Sequence, residues 1–260
     1  MARIKQLNIL LILTLCIGAL VGCTWLKNDD DANNPYAGWS EKKLYTEARH
    51  SLITEQYVSA IKRFEAMESM YPFSGYAARS QLGLMYAYYK NEDYPSAGAA
   101  AERFMRLYPR SKHVDYAYYM KGLANFQQPR AIFSNVIPFD ESWRDTGTQA
   151  TAYADFASLI DKFPNSYYKT DALQRMIYLR NMFAKRELNT ANYYYERKMY
   201  VAAAERANDL IKNYPQAESV EQALIILYHA KQKLGLHQAA ADIRVLYAAS
   251  YPDHKMPLQP

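Results

Sequence analysis

The 260-residue sequence predicts an all-α fold, a superhelical solenoid of five helix-turn-helix repeats, on three observations. Aromatic-Pro pairs recur at Tyr71-Pro72, Tyr108-Pro109, Phe163-Pro164, Tyr214-Pro215 and Tyr251-Pro252. An alanine stands twelve residues before each proline (Ala60, Ala97, Ala152, Ala203, Ala240), and a large apolar residue five before (Met67, Phe104, Leu159, Leu210, Tyr247). Beyond residue 40 no stretch shows the β-branched alternation of a half-buried strand, whereas Tyr and Ala abound and Gly is scarce. Five alanines in five at one offset is a coincidence on the order of one in thirty thousand, so the period decides the architecture.

Ahead of the repeats lies a segment with a different purpose. Arg3 and Lys5 form a charged start, and residues 7–20 are apolar except for Asn8 and Thr14. That run is short for about 30 Å of hydrocarbon but suits the core of an export signal. It ends in Leu20-Val21-Gly22-Cys23, a lipobox. The signal is therefore expected to span residues 1–22 and to be cleaved, leaving Cys23 as the first mature residue. Its thiol is the nucleophile expected to take up diacylglycerol as a thioether, and the α-amine freed by cleavage to take the N-palmitoyl group; no other cofactor is expected. Thr24 stands where an Asp would retain a lipoprotein at the inner membrane, which directs the expectation to the periplasmic face of the outer membrane. Cys16 leaves with the signal, so no disulfide is available and the core must hold the fold alone. Residues 23–39, with Asn28-Asp29-Asp30-Asp31 and Asn33-Asn34-Pro35, read as a flexible tether.

The repeats follow over residues 40–260. Proline cannot continue the helix before it, so each aromatic-Pro pair ends helix B of a hairpin, and the small alanine lets helices A and B approach closely. Tyr57, Tyr94 and Tyr200, fifteen residues before their prolines, mark where helix B begins. The units fall at about 40–74, 75–111, 112–166, 167–216 and 217–252. Successive prolines lie 37, 55, 51 and 37 residues apart, so two units carry insertions. In the third, residues 126–148 have loop chemistry with aromatics. In the fourth, helix A lengthens to about 167–197, with no Pro or Gly to stop it. The last unit departs most, because Arg244 stands where units one and three have Phe64 and Phe156.

The formal net charge of +5 falls to +3 without Arg3 and Lys5, too weak a bias for a nucleic-acid partner. The five histidines (His50, His113, His229, His237, His254) show no metal-ligand spacing. No phosphate-cradling glycine loop or nucleophile motif occurs, and Glu65 with Glu68 reads as a solvated helix face. The chain is expected not to be an enzyme. A repeat array leaves a groove lined by its A helices, and the candidates to line it are Tyr86, Tyr89 and Lys90, with Leu84 in the core.

The Ala, large-apolar and Pro positions resemble the tetratricopeptide repeat, which implies a right-handed superhelix. Finer motifs narrow this further: Tyr71-Pro72-Phe73, Tyr86-Ala87-Tyr88-Tyr89-Lys90, Asp115-Tyr116, Tyr119-Met120-Lys121-Gly122-Leu123, Arg144-Asp145 and Tyr193-Tyr194-Tyr195-Glu196-Arg197. With these the chain resembles, over its whole length, the BamD (ComL) family of tetratricopeptide lipoproteins. That resemblance implies a scaffold of the outer-membrane β-barrel assembly (BAM) complex. Its expected partners are the POTRA domains of BamA, accessory lipoproteins of the BamC and BamE type, and unfolded outer-membrane proteins. Arg197 and Glu196, with Asp140, Arg144 and Asp145 of the third-unit insertion, are the expected BamA contacts; Tyr86, Tyr89 and Lys90 are the expected substrate contacts. The alternative is another outer-membrane repeat lipoprotein, such as a pilotin-like factor for secretin or pilus assembly.

Overall fold

The aromatic-Pro pairs end their helices in one repeated way. The backbone N–H of each aromatic donates to the carbonyl four residues earlier, which belongs in every unit to the large apolar residue: Met67, Phe104, Leu159, Leu210 and Tyr247. The chain then turns, because the following proline has no N–H to continue the ladder. A computed structural model describes residues 34–127 and 147–259 of the chain. The signal, Cys23, most of the tether and the third-unit insertion lie outside the described residues.

The described residues form ten helices in sequential pairs. These are α1 (Glu41–Ile53) with α2 (Tyr57–Met70), α3 (Ala77–Lys90) with α4 (Tyr94–Leu107), and α5 (Val114–Gln127) with α6 (Gly147–Lys162). Then come α7 (Lys169–Glu196) with α8 (Tyr200–Asn213), and α9 (Val220–Lys233) with α10 (His237–Ser250). Each helix packs on the next in the chain, the pattern of a tetratricopeptide-like array. Helix B begins at Tyr57, Tyr94 and Tyr200. Asp93 caps α4 by accepting from the Ser96 N–H at 3.2 Å, with Pro95 in the first turn.

The five spaced alanines are completely buried, as are four of the five large apolar residues; Tyr247 keeps 2% of its surface. Each of those large side chains contributes about 1.5–3 kcal/mol by leaving water. The alanines admit the close helix crossing that makes such burial possible. Two glycines serve the same need: a Cβ on Gly83 would lie 2.4 Å from the Phe64 ring, and one on Gly122 would lie 2.6 Å from the Phe156 ring.

The core divides into three clusters along the array. Helix α7 belongs to two of them. Leu179 and Met182 complete the central cluster, while Ala184 and Ala191 begin the C-terminal one. Its 28 residues, about 42 Å long, thus replace what would otherwise be a boundary between units. In the last unit Arg244 is exposed, and no described helix packs over that face. Residues 251–259 fold back instead: Met256 packs on the C-terminal cluster, and the Pro257 carbonyl lies 2.9 Å from His229 Nε2.

Short turns between antiparallel helices separate two edges of the array. On one edge are the A-to-B turns, where Glu55, Glu92, Lys198 and Gly235 adopt φ of 59°, 62°, 61° and 74°. On the other are the B-to-A turns at the aromatic-Pro pairs. Trp39 joins this second edge, its carbonyl accepting from the Tyr71 hydroxyl at 2.5 Å. Helices α5 and α6 keep the alternation, because Asn125 bonds Asp155 near one end while Lys162 reaches the Tyr118 hydroxyl near the other.

Candidate functional site

Successive A helices touch one another as well as their own B helices, so α3, α5 and α7 form one wall. Tyrosines repeat along it. Tyr86 is partly exposed and Tyr89 half-buried, and both stand close enough to Tyr116 to act on its ionisation. Tyr89 meets Tyr94 edge-on at 5.6 Å, and Gln127 Nε2 lies 3.5 Å from its hydroxyl. Lys90 is exposed, with Nζ 5.7 Å from the Tyr57 ring. The three residues singled out from sequence therefore share a surface, and Leu84 is in the core at 4% exposure.

The wall continues in residues that are not among the groove candidates read from the sequence. Tyr119 stacks on Tyr168 at 4.7 Å and donates to Asp171 Oδ2 at 2.6 Å. Asp171 also accepts from Arg175, through Nε at 2.6 Å and the outer guanidinium nitrogen at 3.4 Å. That guanidinium lies 5.0 Å from the Phe126 ring, a cation–π contact, and Phe126 meets Tyr178 edge-on at 5.8 Å. Burial pushes the Tyr116 phenol well up. Burial and the bond to Asp171 do the same to Tyr119. For Asp171, burial alone would raise the carboxyl, but the bonds from Arg175 and Tyr119 outweigh it and hold it below its ordinary range. The groove is thus aromatic, with one fixed ion pair. Tyr178, 42% exposed, supplies further aromatic area along the α7 side.

The fourth-unit element presents a different surface. Glu196 is the last residue of α7, and Arg197 caps it on the A-to-B edge. The Arg197 guanidinium lies 3.6 Å from the Tyr193 ring centroid and 3.4 Å from the Tyr193 carbonyl. It makes no ion pair with Glu196 or Glu205 among the described residues; the i−4 tyrosine holds it instead. Tyr193, Glu196 and Arg197 are all exposed. Cys23, Asp140, Arg144 and Asp145 lie outside the described residues.

Glu65 is exposed, as expected of a solvated face, whereas Glu68 is largely covered. Glu65 accepts from the Tyr88 hydroxyl at 2.5 Å, and Glu68, with 15% of its side chain exposed, pairs with Arg103 at 2.8 Å. Both look onto the next unit, which the spacing of residues along one helix does not reveal. They line a cleft of about 510 Å³ whose carboxylates are tied to partners, a structural arrangement. Lys121 does similar work between units two and three, 2.9 Å from Glu102 and 3.2 Å from Asp155. Burial would lower that ammonium, yet the two carboxylates hold it above its usual value. Among the described residues no group of three or more His, Cys, Asp or Glu is placed to hold a metal, and no helix is long and apolar enough to cross a membrane.

An array of helical hairpins with an aromatic inner wall and an exposed arginine platform defines a class, the tetratricopeptide-like binding scaffold. Within that class, the pattern of the YfiO family, described as outer membrane lipoprotein, matches residues 38–246, and the chain belongs to this family. It is 40% identical over 243 residues to the outer membrane protein assembly factor BamD of Neisseria meningitidis serogroup A, spanning 93% of this chain and 91% of that protein. The protein of the same description from Vibrio cholerae is 40% identical over 197 residues, 76% of this chain and 82% of its own. That from Haemophilus influenzae is 32% identical over 250 residues, 96% and 92% of the two chains. The chain is accordingly an outer membrane lipoprotein of a non-catalytic assembly-factor family, as the motifs led one to expect.

Proposed function

We propose that this chain is a lipid-anchored scaffold of the BAM complex that receives unfolded outer-membrane proteins in its A-helix groove and holds BamA through its fourth unit. In this reading Cys23 carries the lipid, and Tyr86, Tyr89 and Lys90 bind substrate. Arg197 and Glu196, with Asp140, Arg144 and Asp145, meet the POTRA domains, and accessory lipoproteins of the BamC and BamE type dock on the same scaffold. The observation that carries the proposal is the tyrosine wall across α3, α5 and α7. Unfolded barrel segments are rich in aromatics and free backbone groups, and tyrosine supplies aromatic area with an adaptable hydroxyl. Tyr119 and the Asp171–Arg175 pair extend that surface by two units beyond the residues chosen from sequence.

Photocrosslinkers at Tyr86, Tyr89 and Tyr178 test the groove. They should capture a nascent barrel protein, while probes at exposed positions of the B helices, such as Lys62 and Ala99, should not. Equal capture from both sets would remove the groove from the proposal. For the partner contact, Arg197→Glu should reduce co-purification of BamA while leaving the helical content intact. A guanidinium resting on Tyr193 is pre-positioned for a carboxylate, so Arg197→Lys should restore only part of the binding. Undiminished recovery of BamA with Arg197→Glu would refute the assignment.

A further inference from the structure

We infer that the B-to-A edge of the first three units is a membrane-contacting surface, which lies against the anionic lipid leaflet in which the chain is anchored. The two most exposed aromatic side chains among the described residues are here: Phe73, 99% exposed after the first aromatic-Pro pair, and Tyr167, 91% exposed after the third. Between them in the array stand Leu107, 54% exposed, and the exposed Arg110 and Lys112 of the second pair. None of these five side chains packs into a core cluster. Aromatic side chains and cations on one rim suit the headgroup level of a bilayer, where rings settle at the interface and cations meet phosphate.

Charge distinguishes this edge from its opposite in the first two units. The turns 71–76, 108–113 and 163–168 contain no Asp or Glu. The first two turns on the other edge contain Glu55, Glu92 and Asp93, and Ile53 and Val58 are exposed there beside Glu55. The fourth B-to-A turn carries Glu218, so the cationic aromatic rim is confined to the units nearest the tether.

The tether supplies the second argument, and it rests on Cys23 being the acylated residue. Eleven peptide steps separate Cys23 from Asn34, a reach of at most about 40 Å. The chain joins the fold on the same edge, where Asn34 Nδ2 lies 3.4 Å from Met70 Sδ and the Trp39 carbonyl accepts from Tyr71. Phe73 is two residues beyond that tyrosine. An anchor so short, attached at this edge, turns this edge toward the lipid surface and raises the effective concentration of weak contacts.

The test uses the mature chain with Cys23→Ser, so that no acyl group contributes. It is sedimented with vesicles of phosphatidylethanolamine and phosphatidylglycerol, and with vesicles of phosphatidylcholine alone. The chain should pellet with the anionic vesicles and several-fold less with the neutral ones. Each cation near such a surface is worth roughly fivefold in partitioning, so Arg110→Glu with Lys112→Glu should lower it by at least about twentyfold. Phe73→Ser with Tyr167→Ser should lower it about tenfold or more. Ile53→Ser with Val58→Ser, on the opposite edge, should not change it. All of these side chains are exposed, and unchanged circular dichroism will verify folding. No preference for anionic vesicles, or equal loss from both edges, overturns the inference. Mass spectrometry of the chain with native Cys23 reads the anchor separately. An unmodified cysteine in a chain whose edge still binds lipid would sink the anchor assignment alone.

Discussion

Gly122→Ala tests the packing that holds the groove in place. An added Cβ would lie 2.6 Å from Cε1, 2.7 Å from Cδ1 and 3.1 Å from Cζ of Phe156. Carbon atoms prefer about 3.5–4.0 Å, so the ring must retreat by nearly 1 Å. It has little room: Phe156 is completely buried, with the Tyr119 ring at 6.3 Å and the Phe126 ring at 6.4 Å, both part of the groove wall. Overpacking of this kind costs about 1–3 kcal/mol, from which the better helix propensity of alanine subtracts up to about 1. The expected net loss is about 1–2 kcal/mol, or a fall of about 3–6 °C in Tm. Urea and thermal unfolding followed by far-ultraviolet circular dichroism measure it. The same substitution in a Phe156→Leu background should be neutral or slightly stabilising, because the clash is gone and the propensity gain remains. An equal loss in both backgrounds, or none in the native one, would refute the close-approach argument.

Three further outcomes are expected. His254 Nδ1 lies 2.6 Å from Glu221 Oε1, which also accepts from Tyr247; the bond and charge of Glu221 raise the imidazole above its usual 6.5, and the bonds from His254 and Tyr247 lower the carboxyl below its usual 4.5. The raised imidazole stabilises fully below 6.5 and loses its effect as pH rises through the folded value, while the lowered carboxyl stabilises fully above 4.5 and loses its effect as pH falls through its own. Hydrogen exchange of residues 251–259 should accordingly be slowest, relative to intrinsic rates, between those two values, and His254→Ala should flatten the profile. Glu92→Gly relieves a φ of 62° at an exposed turn and should raise stability by about 0.5–1 kcal/mol, whereas Gly235→Ala should lower it by about 1, both read from urea midpoints. Cys23→Ser should lower barrel-assembly efficiency in cells without abolishing recovery of the complex, because protein contacts persist when the lipid is lost; complete loss of the complex would assign retention to the anchor.

The repeat spacing was legible because it reflects a packing constraint met five times. A proline must end each helix B, and only a small residue fits the crossing at Ala60 and its four equivalents. The A-to-B turns were less legible, because Glu55, Glu92 and Lys198 occupy the left-handed region that glycine usually signals; among the described turns of this edge only Gly235 marks its turn by type. The groove was legible in one unit, through Tyr86 and Tyr89. Its continuation joins Tyr119 to Asp171 across 52 positions of sequence, and an Asp–Arg pair four apart on one helix reads equally well as a solvated face. Arg197 shows the same ambiguity. Glu196 and Glu205 stand close to it along the chain, whereas the side chain folds back along its own helix onto Tyr193, leaving its outer face accessible.

The irregular fourth unit explains why these surfaces can act together. Asp171 and Arg175, at the groove, and Glu196, at the exposed platform, belong to one helix that has neither Gly nor Pro within it. About 30 Å separates Arg175 from Glu196 along that helix. A hinge between them would have to break hydrogen bonds where the buried Leu179, Met182, Ala184 and Ala191 fasten successive turns of α7 to two core clusters. The other units are joined by turns of a few residues, which can flex. Across the fourth unit that flexibility is removed, so the orientation of the groove wall relative to Arg197 is set by the helix itself. On the proposed function, in which one place receives a chain and another holds a partner, the lengthened helix A is the fixed member between them, supplied without adding a new element to the fold.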